Sequence, residues 1–446
     1  MKKVLILGAG MVVKPIVTYL LEKDVLVTVA SRTKSKADDM ISGHKNGTAI
    51  EWTVDDTSTL DRMVKEHDLT VSLLPWIHHI MVAKHCIRHR KNMVTTSYVK
   101  PEMKALDQEA RDAGIIILNE LGLDPGIDHM SAMRIIDHVH DNGGKIEEFY
   151  SICGALPAPE VADDNPFRYK FSWSPKGVVL AGNNDGRYLR HGKEVYVPTE
   201  DLFKNPLMID FPKVGKLDIY PNRDSMPYID LYGIPETKTM MRGTFRYPGW
   251  CESMDAMKTL KLITNDTYDF TGKTYAEMVA MLMGEDNADN IKEKVAVFLN
   301  IPQDAHAIKA MEWLGLFENT RMGRRRDTPF EIISDLMIDK MMLGKKERDM
   351  VAMQHVFLAS YPGGKKEVIK SSMLDSGTQE TDTAIARTVA LPAAVGVEMI
   401  LNGEISEKGV HIPVIPEIYN PILNALETMD ISMDEQFGLP ENEIIQ

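Results

Sequence analysis

The chain has 446 residues, beyond the roughly 250 to 300 at which one hydrophobic core usually stops growing, so at least two domains are expected. Hydrophobic residues at 44% and charged residues at 26% are ordinary globular proportions and argue against a disordered, fibrous or membrane-embedded chain. A formal net charge of -14 repels polyanions over most of the surface, which excludes general affinity for nucleic acid or anionic lipid; an anionic ligand needs a local basic pocket.

The first residues, MKKVLILGAGMVV, place basic side chains before an apolar run, as a secretory leader does. Lys14 and Pro15 cut the run short and no small-residue cleavage site follows, so a buried first strand is expected instead. Further β-rich runs follow as VLVTVAS, TAIEWTV, LTVSLL, NMVTTS and GIIILN, separated by stretches with polar faces at helical spacing. That alternation predicts an α/β chain with a doubly wound parallel sheet. From Gly144 the texture shifts to longer strands and loops, as in KIEEFYSICGALPAPE and FRYKFSWSPKGVVLAG, which predicts an α+β domain. Residues 253–345 are rich in Met, Leu, Ala, Glu and Lys and predict a helical subdomain. ERDMVAMQHVFLAS and KEVIKSSML read as returning strands, and DTAIARTVALPAAVGVEMILNG as a small-residue helix packed on a sheet.

The expected division is a dinucleotide-binding domain over 1–125 completed by about 385–446, an α+β domain over 126–252 and 346–384, and the helical subdomain between them. No segment is expected to reach the roughly 20 apolar residues of a membrane span. The basic run RMGRRRD, Arg321 to Asp327, reads as a solvated loop. Cys86, Cys153 and Cys251 are too few and too scattered for a disulfide framework, which points to a reducing, cytoplasmic setting.

Gly8, Ala9 and Gly10 follow the apolar strand and precede a helix-compatible segment, the context in which a Gly-rich turn binds a dinucleotide in a Rossmann-type sheet. Gly8 allows the tight turn, and Gly10 lets a pyrophosphate approach backbone N–H groups at a helix end; Met11 and Val12 continue the turn. The third glycine position holds Val13, a change that bears on helix packing rather than phosphate contact. The second strand ends in Ser31, Arg32 and Thr33, where an NAD enzyme would present a carboxylate to the ribose. Arg32 can pair with a 2'-phosphate and the two hydroxyls can donate to it, so NADP (NADPH) is the expected cofactor.

Unusual residues concentrate in TTSYVKP (Thr95 to Pro101), NELGLDPGIDH (Asn119 to His129) and CGALPAPE (Cys153 to Glu160), with arginines in YPNRDS (Tyr220 to Ser225) and RGTFRYPGW (Arg242 to Trp250). The first two lie where parallel strands end, the usual place of a ligand crevice. Taken alone, Asp124 before Pro125 could be a helix N-cap, Asp128 a structural hydrogen-bonding partner, Cys153 a buried small residue and Tyr98 a wall of the crevice. His78, His79, His85 and His89 invite comparison with a metal site, but Lys84, Arg88 and Arg90 crowd that stretch and no carboxylate or thiolate set completes it, so no metal is expected.

Together with KFSWSPKG and ERDMVAMQH, these segments resemble the saccharopine reductase family, NADP-dependent, L-glutamate-forming enzymes of the aminoadipate route to lysine. The likeness runs over nearly the whole chain. It implies a Rossmann domain, a mixed α+β domain and a small helical domain. It also implies catalytic-site positions at Tyr98, Asp124 and Cys153, and substrate contacts at Ser97, Arg223 and Thr244. Ala155 departs from the family's second glycine after the cysteine. The implied reaction joins glutamate to an amino-adipate semialdehyde through an imine, in a cytoplasmic homodimer. The product's three carboxylates call for arginines, Arg223 first and Arg246 second. Two other readings stay open at this level: a related imine-reducing enzyme of the carboxynorspermidine type, and a non-catalytic NADP-binding regulator.

Overall fold

The computed structural model describes residues 1–445, which divide into two compact units, residues 1–144 with 371–435, and residues 145–370 with 436–445. In the first unit, strands β1 (Lys3–Leu7), β2 (Leu26–Ser31), β3 (Gly47–Glu51), β4 (Leu69–Ser72), β5 (Asn92–Val94) and β6 (Ile116–Leu118) match the six runs read from the sequence. They form a parallel sheet ordered β6-β5-β4-β1-β2-β3, extended beyond β6 by the late strand Gly409–His411. Val4 to Leu7 and Leu69 to Ser72 are completely buried, as strands covered on both faces must be. The order reverses at β1, which lies between β4 and β2, so the chain leaves the carboxyl ends of β1 and β4 on opposite sides of a switch point.

The helix Ala384–Asn402 has a mean hydropathy of 1.6 in its best window and is long and apolar enough to cross a membrane, contrary to the expectation that no segment would be. It is a core helix of the first unit: 72% of that window is buried, and Gly396 sits where a Cβ would meet Leu121 at 2.3 Å. Its small residues permit this close packing, as its composition suggested.

The second unit carries β7 (Lys145–Pro157), β8 (Gly186–Arg190), β9 (Lys193–Val197), β10 (Leu207–Phe211), β11 (Gly215–Pro221) and β12 (Thr239–Arg246). After the two-residue strands β13 (Tyr268–Asp269) and β14 (Arg326–Asp327) come β15 (Asp349–Ser360) and β16 (Lys366–Ser376). The large mixed sheet runs β10-β11-β12-β7-β15-β16 and ends on Asp434–Leu439, with β8 pairing β12 and β9. β7 and β15 pair antiparallel along their whole length, and all but the last residue of β15 is buried. The expected helical stretch contains Tyr275–Met283, Ile291–Leu299, His306–Leu314 and Pro329–Met341. Its sequence KTYAE begins a helix by a capping box in which Thr274 and Glu277 satisfy each other's backbone N–H.

The unit edges fall at Gly144 and Ser371 rather than at 125 and 385, and the last residues join the second unit rather than completing the first. The physical cause at the first edge is the helix Ile127–Asp141, ten of whose fifteen residues are buried and which packs on the helix Pro416–Glu427 of its own unit. The RMGRRRD run is a surface turn ending in β14, with Arg324 paired to Asp327 at 3.0 Å and to Asp335.

Candidate functional site

The Gly-rich turn leaves β1 as expected. Gly8 has φ 112° and its N–H donates to Ala30 O at 2.9 Å, while a Cβ there would lie 2.8 Å from Leu73 O. Only glycine fits this crossing of β1, β2 and β4. Gly10 has nothing within 4 Å of a built Cβ, so its backbone faces open space before the helix Lys14–Glu22. Val13, in the third glycine's place, is 1% exposed and packs under that helix. Met11 is 51% exposed and Val12 partly so. At the end of β2, Ser31 Oγ accepts from Thr33 N–H at 3.3 Å, and Arg32 and Thr33 are exposed. An open glycine cradle beside a strand end with a guanidinium and two hydroxyls, and no carboxylate, fits a dinucleotide bearing a 2'-phosphate.

The loops after β5 and β6 bring two of the expected residues together. Tyr98 donates its hydroxyl to Asp124 Oδ1 at 2.7 Å, and both side chains are part-buried. Asp124 is therefore not an N-cap: the Asp124–Pro125 peptide is cis, and the helix begins at Ile127 after Gly126. Gly126, at φ 148°, has a built Cβ only 1.9 Å from Gly122 O, so the LDPG turn closes only with glycine there. Asp128 accepts from Gly126 N–H at 2.6 Å, the structural part expected of it.

His79 is the residue that sequence reasoning missed. Its ring nitrogens meet Ser72 Oγ and Ser97 Oγ at 2.8 Å each, with Thr95 Oγ1 at 3.3 Å. Burial pushes its pKa down to about 4, so the imidazole is neutral near pH 7 and orients Ser97 without charge. A legible signal existed, because His79, Val82, Ala83 and Cys86 form the buried i, i+3, i+4, i+7 stripe of one helix. His85 and His89 turn instead to Asp61, each 2.9 Å from its Oδ1, and Arg88 joins them at 3.0 Å. Among the described residues no group of three or more His, Cys, Asp or Glu is arranged to hold a metal ion. A groove of about 710 Å³ in the same unit runs along Tyr19, Lys23, Arg387 and Glu398, away from the strand ends. Its charges are largely spent on each other, with Glu398 taking both Tyr19 and Lys23.

In the second unit, sheet register aligns Cys153 of β7 with Thr244 of β12, and Thr244 with Tyr220 of β11. Cys153 is 7% exposed, and its neighbour Ala155 faces Val351 of β15. Arg246 lies two residues beyond Thr244 and so on the same face. The residue is 4% exposed, and its guanidinium lies 4.9 Å from the Tyr169 ring and 5.4 Å from the Trp250 ring with no carboxylate partner among the described residues. The guanidinium donates from Nη1 to Phe245 O at 2.7 Å, and its Nε is unmatched among the described residues. A buried cation without a counter-ion is costly in free energy and is expected where an anionic ligand supplies the missing charge.

Arg223 follows β11 in an exposed turn with φ 58°. That turn is fixed on both sides, by Asn222 N–H on Arg242 O at 2.9 Å and by Arg187 N–H on Arg223 O at 2.9 Å. The backbone that carries the Arg223 guanidinium is thus held by two neighbouring strands.

Comparison with known proteins bears on these features. The family model described as Saccharopine dehydrogenase NADP binding domain matches residues 4–118, and that described as Saccharopine dehydrogenase C-terminal domain matches 122–431. The chain belongs to the saccharopine dehydrogenase family. It is 38% identical to "Saccharopine dehydrogenase [NADP(+), L-glutamate-forming]" of Saccharomyces cerevisiae over 96% of this chain and 97% of the relative. It is 36% identical to the protein of that name from Pyricularia oryzae, over 96% of each. The solved apo saccharopine dehydrogenase (L-Glu forming) of S. cerevisiae aligns with a TM-score of 0.90 and 35% identity, covering 98% of this chain and 100% of that one. Against the mitochondrial alpha-aminoadipic semialdehyde synthase of Bos taurus the identity is 37%, and this saccharopine dehydrogenase family chain spans about half of the relative, 48% of its length.

Proposed function

We propose that this chain catalyses the NADP-dependent interconversion of saccharopine with L-glutamate and 2-aminoadipate 6-semialdehyde through an imine. The observation that carries the reading is the Tyr98–Asp124 hydrogen bond beyond the parallel-strand ends of a unit matched by the family's NADP-binding model. It is an oxidoreductase acting on a CH–NH bond, and the end-to-end likeness to L-glutamate-forming enzymes supports that class.

In the synthetic direction the glutamate amine adds to the semialdehyde carbonyl, water leaves, and the resulting imine carbon is reduced. NADPH supplies the hydride when bound. Gly8, Gly10, Met11 and Val12 would hold its pyrophosphate, and Ser31, Arg32 and Thr33 its 2'-phosphate. Within the first unit, Tyr98 and Asp124 would move protons as the carbinolamine forms and dehydrates, since a phenol joined to a carboxylate can give a proton and take it back. Ser97, oriented by His79, would position the substrate. Within the second unit, Arg223, Arg246 and Thr244 would take substrate carboxylates, and Cys153 would set local polarity.

The homodimer and the cytoplasm belong to the same proposal. Cys86, Cys153 and Cys251 are all buried and none is joined in a disulfide among the described residues, which supports a reducing compartment. Light scattering on purified protein tests the dimer. Incubation with saccharopine and NADP+ tests the activity: absorbance of reduced cofactor should rise while mass spectrometry finds glutamate and the semialdehyde in equal amounts.

A further inference from the structure

Two buried ionisable side chains of the first unit have no part in the chemistry above. Glu120 is 6% exposed and His129 is 0% exposed. Glu120 Oε2 meets His129 Nε2 at 2.7 Å, and its Oε1 accepts from the Val99 backbone N–H at 2.8 Å. Val99 follows Tyr98 directly, and His129 belongs to the first turn of the helix that begins three residues after Asp124. One carboxylate therefore ties the strand-end loop carrying the phenol to the helix that follows its acidic partner.

The backbone reinforces this tie. Glu120 N–H donates to Ser97 O and Leu121 N–H to Thr95 O, both at 3.2 Å, so that with the Val99 bond the two loops are laced on either side of Tyr98. Glu120 itself has φ 56°, a left-handed conformation that residues other than glycine, Asn and Asp seldom adopt. Such a conformation persists only where the surroundings over-determine it, and here the backbone N–H and both carboxylate oxygens are engaged. A general acid–base pair needs its atoms placed to within a fraction of an ångström.

We propose that Glu120, held by His129, is a positioning residue that sets the Tyr98–Asp124 couple for imine chemistry. The inference rests on the saccharopine reading given above. Glu120 acts through Val99 and the loop, touching neither substrate nor cofactor.

The test uses the full chain with two replacements. Glu120→Gly removes the carboxylate while suiting the backbone, and Glu120→Gln keeps an acceptor for Val99 and a group able to reach His129. Glu120→Gly is expected to lower kcat about 100-fold, the cost of misplacing reacting groups by roughly 1 Å, with NADPH affinity unchanged. Glu120→Gln should restore most of the loss. Tyr98→Phe should then cost far less in the Glu120→Gly background than in the wild type, because the two residues act as one unit. Fully additive losses, or wild-type kcat in Glu120→Gly, would overturn the proposal.

A second readout needs no substrate. The tyrosinate absorbance difference between each protein and its Tyr98→Phe counterpart reports ionisation of that phenol, which should move in Glu120→Gly. If the wild type fails to oxidise saccharopine with NADP+, the functional reading falls, and this titration alone decides the positioning role; an unmoved curve sinks it. Should Glu120→Gly fail to fold, His129→Asn, which withdraws the partner from Oε2, takes its place with the same expectations.

Discussion

Tyr98 and Asp124 lie 26 positions apart in the chain, yet the Tyr98 hydroxyl donates to Asp124 Oδ1 at 2.7 Å. The parallel pairing of β5 and β6 makes this possible, because Val94 is in register with Leu118 and both loops leave the same edge of the sheet. Replacement of either residue removes this hydrogen bond and, on the proposed mechanism, the proton exchange it would carry. Tyr98→Phe and Asp124→Asn should each lower kcat by about 100-fold or more, the usual contribution of a positioned acid or base. The double variant should be little worse than either single one. Steady-state kinetics of saccharopine oxidation would check both statements.

Arg32→Ala tests the cofactor assignment. The guanidinium is exposed at the end of β2, where its only proposed partner is the 2'-phosphate. The variant should lose affinity for NADPH by roughly tenfold or more, the scale of a charge-assisted hydrogen bond, and should leave NADH binding unchanged. Titration by cofactor fluorescence measures both; equal losses would refute the role.

Arg246 is expected to show function and stability moving in opposite directions. Arg246→Met keeps most of the volume among Tyr169, Tyr220 and Trp250 but removes a buried charge that has no carboxylate partner among the described residues. Substrate KM should rise roughly 10- to 100-fold through loss of a charged hydrogen bond. Stability without ligand should rise by about 1 kcal/mol or more, as when apolar residues replace buried charges elsewhere. Denaturant titration beside steady-state assays reads both. Arg223→Ala, at an exposed position, should raise KM for saccharopine or glutamate without a change in stability.

His79 makes acid stability predictable. Its pKa is held near 4 in the folded chain against about 6.5 when unfolded, so the unfolded state binds the proton first as pH falls. The stabilisation is fully present above pH 6.5 and is lost as pH falls toward 4, by about 3 kcal/mol. Replacement His79→Gln should flatten this slope between those pH values. Melting curves in matched buffers decide it, and an unchanged slope would count against a buried neutral imidazole.

Much of the architecture was legible in the sequence because period and composition report burial directly. All six early runs became β1 to β6, and KIEEFYSICGALP became β7, since runs of apolar and β-branched residues mark strands, buried ones such as β1 and β4 most clearly. The late strand Gly409–His411 was not legible, being three residues long with only its first fully buried. The Tyr98–Asp124 pair was reached through motifs, not through geometry. The helical stripe that His79 shares with Val82, Ala83 and Cys86 marks it as buried, but its bond to Ser97, like that of Glu120 to Val99, joins distant loops that no local pattern encodes. Taken alone Asp124 also read as a helix N-cap, because Asp-Pro looks the same in one dimension whether it caps a helix or closes a tight turn.

The most direct test of the whole account follows the atom that changes bonding. Glutamate, 2-aminoadipate 6-semialdehyde and NADPH deuterated at the nicotinamide are incubated with the protein, and the product is examined by NMR and mass spectrometry. The expected product is saccharopine with one deuterium on the former aldehyde carbon. Reduction of the semialdehyde to an alcohol, or consumption of cofactor without incorporation of glutamate, would contradict it.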